Sequence, residues 1–236
     1  MMGSIECMNA PCSDGPSTWE CREAPGMNAK DNKLVNARKP TQERSRERVE
    51  RMFRAAEKLL LEQGPEALSI PEVAKVSGLP RSSVYQFFPS KYALLLAISD
   101  QYQRRMAERI AGLDAVLGDL ELNDVVGSLA RAGADFYNEH PVARMLILGG
   151  PMSREGFRAV QDVHKGTADG IRHLIERRVS GITFPDEPDV IAFAVEIARG
   201  CFRYGYFREK SISDQTVAET KAAVHAYLSV RGEGGS

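Results

Sequence analysis

Arg81, Ser82, Ser83, Tyr85 and Gln86 fall in one short run of the chain, and Lys91 follows five residues later. These side-chain types can read nucleic acid. A guanidinium donates two hydrogen bonds to guanine, and a glutamine amide exchanges two with adenine. Serine hydroxyls and a phenol reach phosphates or base edges, and a lysine ammonium holds a phosphate. The arrangement works if 80–87 is a helix with Val84 and Phe88, four apart, on its inner side and Leu79 packed just before them. The polar residues then face out. Many exposed helices carry such residues, and Tyr85 would also suit the edge of a core. Only the elements that hold this segment can distinguish the two.

Those elements have clear local signals. A first helix is expected over 43–63, with Val49, Met52, Phe53, Ala56, Leu59 and Leu60 on one face. Gly64-Pro65 should end it. Ser69 with Glu72 three residues on fits a capping box for a second helix, and Pro71 is tolerated in its first turn. Ile70, Val73, Ala74 and Val76 are expected to face the core, and Gly78 gives the turn its backbone freedom. Pro80 suits the start of a third helix. Ser90 should cap a fourth that runs past Ile110, with Leu94, Leu95, Ile98, Tyr102 and Met106 inward. Two short helices about a glycine turn form a helix-turn-helix, whose second helix enters the major groove of DNA. Lys91 in a first turn opposes the helix dipole, which a nearby phosphate would explain.

The residues Ala74, Gly78, Leu79, Tyr85, Phe88, Pro89, Ser90 and Lys91 stand in a pattern that resembles the tetracycline-repressor (TetR) family of bacterial transcriptional regulators. The resemblance implies a three-helix head at about 46–92, an all-helical regulatory body and a homodimer. It also implies that Tyr85 and Lys91 hold phosphates, while Arg81, Ser82, Ser83 and Gln86 lie at or near base edges. Three positions depart from the pattern: Pro80 replaces a usual capping serine, Ser82 a frequent glycine, and Phe87 a frequent histidine or tyrosine. The operator sequence is correspondingly harder to infer.

Charge is split along the chain. Residues 38–109 carry 14 basic and 9 acidic side chains, and residues 111–236 carry 14 and 18. That suits a head that meets phosphate and a body that does not. The expected organisation is a disordered tail at 1–42, a DNA-binding domain at 43–92, and a ligand-binding and dimerisation domain at 93–230. Cys7, Cys12 and Cys21 in the tail do not match a common zinc spacing; Met27 offers an alternative functional start. The basic run 38–48 either reaches phosphate or the minor groove, or simply leads into the first helix. No stretch is apolar over 18 residues and no secretory signal is evident, so a cytoplasmic protein without a membrane partner is expected.

The body should be helical throughout, giving an all-α fold: helices over 122–140, 142–148, 154–180, 189–207 and 213–230, with little sign of sheet. The last two have wide apolar faces, including Phe193, Ala194, Ile197, Phe202, Ala222, Val224 and Leu228, suited to a four-helix dimer interface. A dimer would present two copies of the third helix to a palindromic operator in double-stranded DNA. Phe136, Tyr137, His140, Met145, Leu148, Phe157, His164, Phe193 and Tyr204 are candidates for an effector cavity, since aromatics and methionines line adaptable apolar pockets. The small-molecule effector is unknown. No enzyme is expected: His140, His164 and His173 have no metal-binding pairing, 149–156 is not a phosphate loop, and no cofactor or metal is implied. Repression relieved by the effector is the favoured sign. Activation, or a helical interaction domain with a degenerate head, remain as alternatives.

Overall fold

The capping signals around Ser69, Gly78 and Ser90 decide the head's local geometry. A computed structural model describes residues 43–150 and 154–234, and side chains over these except 154–165 and 233–234. The expectations for the tail, its cysteines and residues 38–42 lie outside the described residues.

Helix α1 (Glu43–Ala67) kinks at Gly64, whose φ of 81° and ψ of 172° break the regular helix before one further turn. Helix α2 (Ile70–Ser77) begins at Ser69, whose hydroxyl accepts from the Glu72 amide and donates to the Glu72 carboxylate at 2.9 Å. Gly78 ends α2 in the left-handed region, at φ 65°, where a Cβ is costly. Helix α3 (Arg81–Phe87) follows Pro80. The Ser90 hydroxyl accepts from the Ala93 amide at 3.1 Å and opens helix α4 (Lys91–Leu113).

Met52, Leu60, Val73, Val84 and Phe88 are buried between α1, α2 and α3. Each large apolar side chain so buried contributes about 1.5–3 kcal/mol. One expectation fails here: Val76 is 43% exposed, and Ser77 is buried in its place. Helix α2 is short and its register buries Ser77, whose hydroxyl donates back to the Ala74 carbonyl one turn earlier in α2.

The body continues with α5 (Leu122–Glu139), α6 (Pro141–Ala143) running into a π-helical turn at Arg144–Leu148, α7 (Arg154–Arg178), α8 (Val190–Glu209) and α9 (Asp214–Arg231). Two-residue strands β1 (Ile182–Thr183) and β2 (Glu233–Gly234) pair antiparallel, the only sheet among the described residues.

Ion pairs set the helix levels. Asp114, just past α4, accepts from Arg177 at 2.9 Å and from Arg178 at 3.0 Å, so α4 and α7 end side by side. The Leu120 amide donates to the Arg178 carbonyl, so α5 starts at that same end and runs back toward the head. Arg172 donates to the Phe184 carbonyl and to Asp189, the N-cap of α8, fixing the loop between α7 and α8. One core cluster runs without a break from α1 through α4 to α5, α8 and α9, so head and body share apolar packing. A second fills the far end of the body.

Candidate nucleic-acid interface and body cavity

On α3, Arg81, Ser82, Tyr85 and Gln86 are exposed and Ser83 is half-buried, while Val84 and Phe87 pack inward and Phe88 fills the core just after the helix. Tyr85 is 47% exposed, which removes it from the core edge. All five polar residues thus share one turn-and-a-half of helix surface. Lys91 has a protein partner in addition to any other: its ammonium donates to the Glu66 carbonyl at 3.1 Å and lies 5.6 Å from the Tyr92 ring centroid. That carbonyl, exposed after the Gly64 kink, offsets the unfavourable helix dipole without a phosphate.

Arg51 is a positioning residue that spacing did not reveal. From α1 its guanidinium donates to the Ser77 carbonyl at 2.6 Å and to the Gly78 carbonyl at 3.5 Å. It caps the C-terminus of α2 from outside and pins the turn that aims α3. An Arg on the polar side of an amphipathic helix gives no hint of this in the sequence.

A chain of rings and hydrogen bonds joins the head to the body. The Tyr102 hydroxyl on α4 donates to Glu57 on α1 at 2.8 Å. Burial, then the hydrogen bond and charge of Glu57, push the Tyr102 phenol well above its ordinary pKa, so it stays a donor. Tyr102 meets Phe136 edge-on, and Phe136 meets both Tyr137 and His140 edge-on. Arg105 lies 3.2 Å from His140 Nε2. A guanidinium only donates, so this nitrogen accepts and the ring is neutral. Burial first, then the Arg105 charge, lower the His140 pKa. Arg109 and Glu139 form a two-pronged pair at 2.6 and 3.1 Å, and this hydrogen bonding holds the Glu139 carboxyl below its usual range.

A cavity of about 100 Å³ lies between α4, α5, α7, α8 and α9. Its walls are mainly aliphatic, with Gln103, Tyr137, Thr167, Arg199 and Thr220 as polar members. Of the nine sequence candidates, Tyr137 lines it. Phe136 and Leu148 are buried in the adjoining core, Met145 packs against that core, and His140 is half-buried at the α4–α5 junction. Phe193 and Tyr204 are 55% and 63% exposed on α8. The side chains of Phe157 and His164 lie outside the described residues. Most of the remaining wall residues were missed because they are aliphatic, and Gln103, Met106, Arg199 and Phe202 because only helix register brings them to the cavity.

The outer face of α8 carries Phe193, Gly200, Tyr204 and Phe207 at helical spacing, all exposed. Beside it α9 exposes Ala222, Ala226 and Val230. Val190, Ala194, Phe202, Val217, Val224 and Leu228 instead face the protomer's own core. Among the described residues no group of His, Cys, Asp and Glu could hold a metal ion, and no helix is long and apolar enough to cross a membrane.

A helix-turn-helix head with its second helix polar and exposed, carried on a helical body, defines the class: a DNA-binding regulator. The family model for bacterial regulatory proteins of the tetR family matches residues 53–98, and the tetracyclin repressor-like C-terminal domain matches 121–228. The chain belongs to the TetR family of transcriptional regulators. Solved structures agree in fold. A TetR regulator from Rhodococcus sp. RHA1 is 19% identical, with a TM-score of 0.60 over 79% of this chain and 98% of its own. A TetR-family regulator from Streptomyces coelicolor is 25% identical, with a TM-score of 0.55 over 79% and 98%. RolR, solved in complex with resorcinol, is 14% identical, with a TM-score of 0.59 over 78% and 89%. No curated protein matches the chain in sequence.

Proposed function

We propose that this protein is a homodimeric, sequence-specific DNA-binding repressor released from its operator by a small, largely apolar molecule. The observation that carries the reading is the outward set Arg81, Ser82, Tyr85 and Gln86 on α3, held at a fixed angle by the Gly78 turn. In this reading Arg81 and Gln86 contact base edges, Ser82 and Ser83 lie at or near them, and Tyr85 and Lys91 hold phosphates. Lys91 reaches a phosphate by exchanging its bond to the Glu66 carbonyl or sharing it.

The exposed face of α8 and α9 supports the dimer. Phe193, Tyr204 and Phe207 would bury aromatic area, while Gly200, Ala222 and Ala226 let partner helices approach closely. Two protomers would then read the halves of a palindrome. The cavity supports the effector, and α4 runs from the cavity wall to the head. RolR, similar in fold, was solved in complex with the ligand resorcinol, a precedent for a single-ring ligand on this architecture. A ligand that favours the non-binding arrangement must bind it more tightly than the other. The protein works in the cytoplasm, where the chromosome is.

Selection of duplexes from a random pool, followed by gel shift, tests DNA reading. A palindromic consensus is expected. Arg81→Ala and Gln86→Ala should each relax one base preference by about 1–3 kcal/mol. Deleting the gene and measuring neighbouring transcripts tests the sign: a rise supports repression, and a fall overturns it.

A further inference from the structure

The cavity has two unlike ends, and this follows from helix register. Asp114 binds Arg177 and Arg178, so α4 and α7 are level at their C-termini. Gln103 and Thr167 each stand about three turns before that level, at the end nearer the head. Helix α5 runs the opposite way, so its late residue Tyr137 comes to the same level. The Tyr137 ring meets Phe202 on α8 at 6.1 Å, and Arg199 lies one turn before Phe202. Gln103, Tyr137, Thr167 and Arg199 therefore cluster at the head-proximal end. The far end is lined by Val126, Ile175, Ala194, Val224 and Leu228, all of the distal core cluster.

Among the described residues the polar end is neutral in sum. Arg199 pairs with Glu196 at 3.2 Å, and burial holds the Tyr137 phenol protonated. The Thr167 hydroxyl is buried and has no hydrogen-bond partner among the described residues. A buried hydroxyl left unpaired is costly, so a ligand atom that pairs with it on a χ1 turn recovers that cost. The size is also limiting. An engineered apolar cavity of about 150 Å³ holds one benzene, so at about 100 Å³ this one admits at most one ring, and that only as its aliphatic walls give slightly.

We infer that the cavity takes a single-ring neutral molecule bearing one hydroxyl or comparable hydrogen-bonding group, bound with that group toward the head, at Thr167 and Gln103, and its ring toward Val126 and Ile175. The inference deepens the effector reading above and rests on it only for its biological meaning. A carboxylate is disfavoured, because Arg199, the cation at the polar end among the described residues, already has an anionic partner and an added charge would be buried without its own.

The test is calorimetric titration of the full-length protein, without DNA, using phenol, benzene, benzoate and naphthol as probes. Phenol should bind with one site per protomer. Benzene should bind about ten-fold more weakly, and benzoate and the two-ring naphthol more weakly than phenol. Thr167→Val keeps the shape and removes the hydroxyl. It should lower phenol affinity roughly three- to ten-fold, the loss of one neutral hydrogen bond, and leave benzene affinity and the unfolding midpoint unchanged or raised. Benzene equal to phenol, benzoate tighter than phenol, or a Thr167→Val protein with undiminished phenol affinity would each overturn the inference. Gel shift separates the two readings: phenol bound without operator release leaves the ligand class standing and removes the effector role. Operator release by some other compound, with no phenol binding, does the reverse.

Discussion

Replacing Arg51 with alanine removes the guanidinium that spans α1 and the α2–α3 turn. The bond to the Ser77 carbonyl is short, at 2.6 Å, and charge-assisted. Such bonds contribute about 1.5–3 kcal/mol when sheltered. Arg51 is exposed, so solvent screening reduces this to about 1 kcal/mol. For a chain of this size that corresponds to a fall in Tm of about 2–4 °C. Operator affinity should fall as well, because the turn sets the angle of α3. The salt slope should not change, because no phosphate contact is lost. Gly78 sharpens the test. A Cβ there would stand 3.2 Å from the Arg51 Nη2 atom, at a φ of 65°. Gly78→Ala should cost about 1–2 kcal/mol from the left-handed backbone alone, plus the displacement of Arg51. In the double variant the crowding is gone, so the combined loss should be less than the sum of the two singles. The assays are urea unfolding and salt-dependent gel shift. A wild-type unfolding midpoint for Arg51→Ala, strict additivity, or a salt slope reduced by about one phosphate would refute the clamp.

Tyr102→Phe deletes the one hydroxyl that ties α4 to Glu57 on α1, and should weaken the effector's influence on operator affinity while leaving effector affinity itself nearly unchanged; paired binding titrations with and without DNA check it. His140 has a lowered pKa in the fold, so its contribution to stability is complete above the ordinary value of about 6.5 and is lost as the pH falls through the window below it. Arg105, Arg109 and Glu139 face it there, and His140→Gln should flatten the slope of unfolding midpoint between neutral and mildly acidic pH. Phe207→Asp places a charge on the exposed α8 face and should shift sedimentation from dimer to monomer, with secondary structure intact by circular dichroism.

The head was legible because its signals are local. Ser69 with Glu72, Gly78 and Ser90 each specify a backbone state within three residues of themselves, and each adopts that state. Val76 shows the limit: in a helix of eight residues the apolar stripe has too few turns to fix its edge, and Ser77 took the inner place. Arg51 was illegible because its partners are backbone carbonyls 26 and 27 residues away. The cavity is harder still. Aromatic and sulfur side chains drew attention in the sequence, but Phe193 and Tyr204 face outward, and the wall, with Met106, Tyr137 and Phe202 its only aromatic or sulfur members among the described residues, is built mainly from aliphatic residues. What selects those residues is the alignment of α4 with α7 through Asp114 and the Arg177–Arg178 pair, a long-range pairing with no local signature.

The most direct test of the account is selection of binding sites from random duplex DNA by the purified protein, repeated with Arg81→Ala and Gln86→Ala. The account predicts a two-fold symmetric consensus for the wild type, with each variant losing preference at one position in each half-site and keeping the rest. Enrichment of no sequence by the wild-type protein at low salt, or a consensus that both variants leave unchanged, would contradict it.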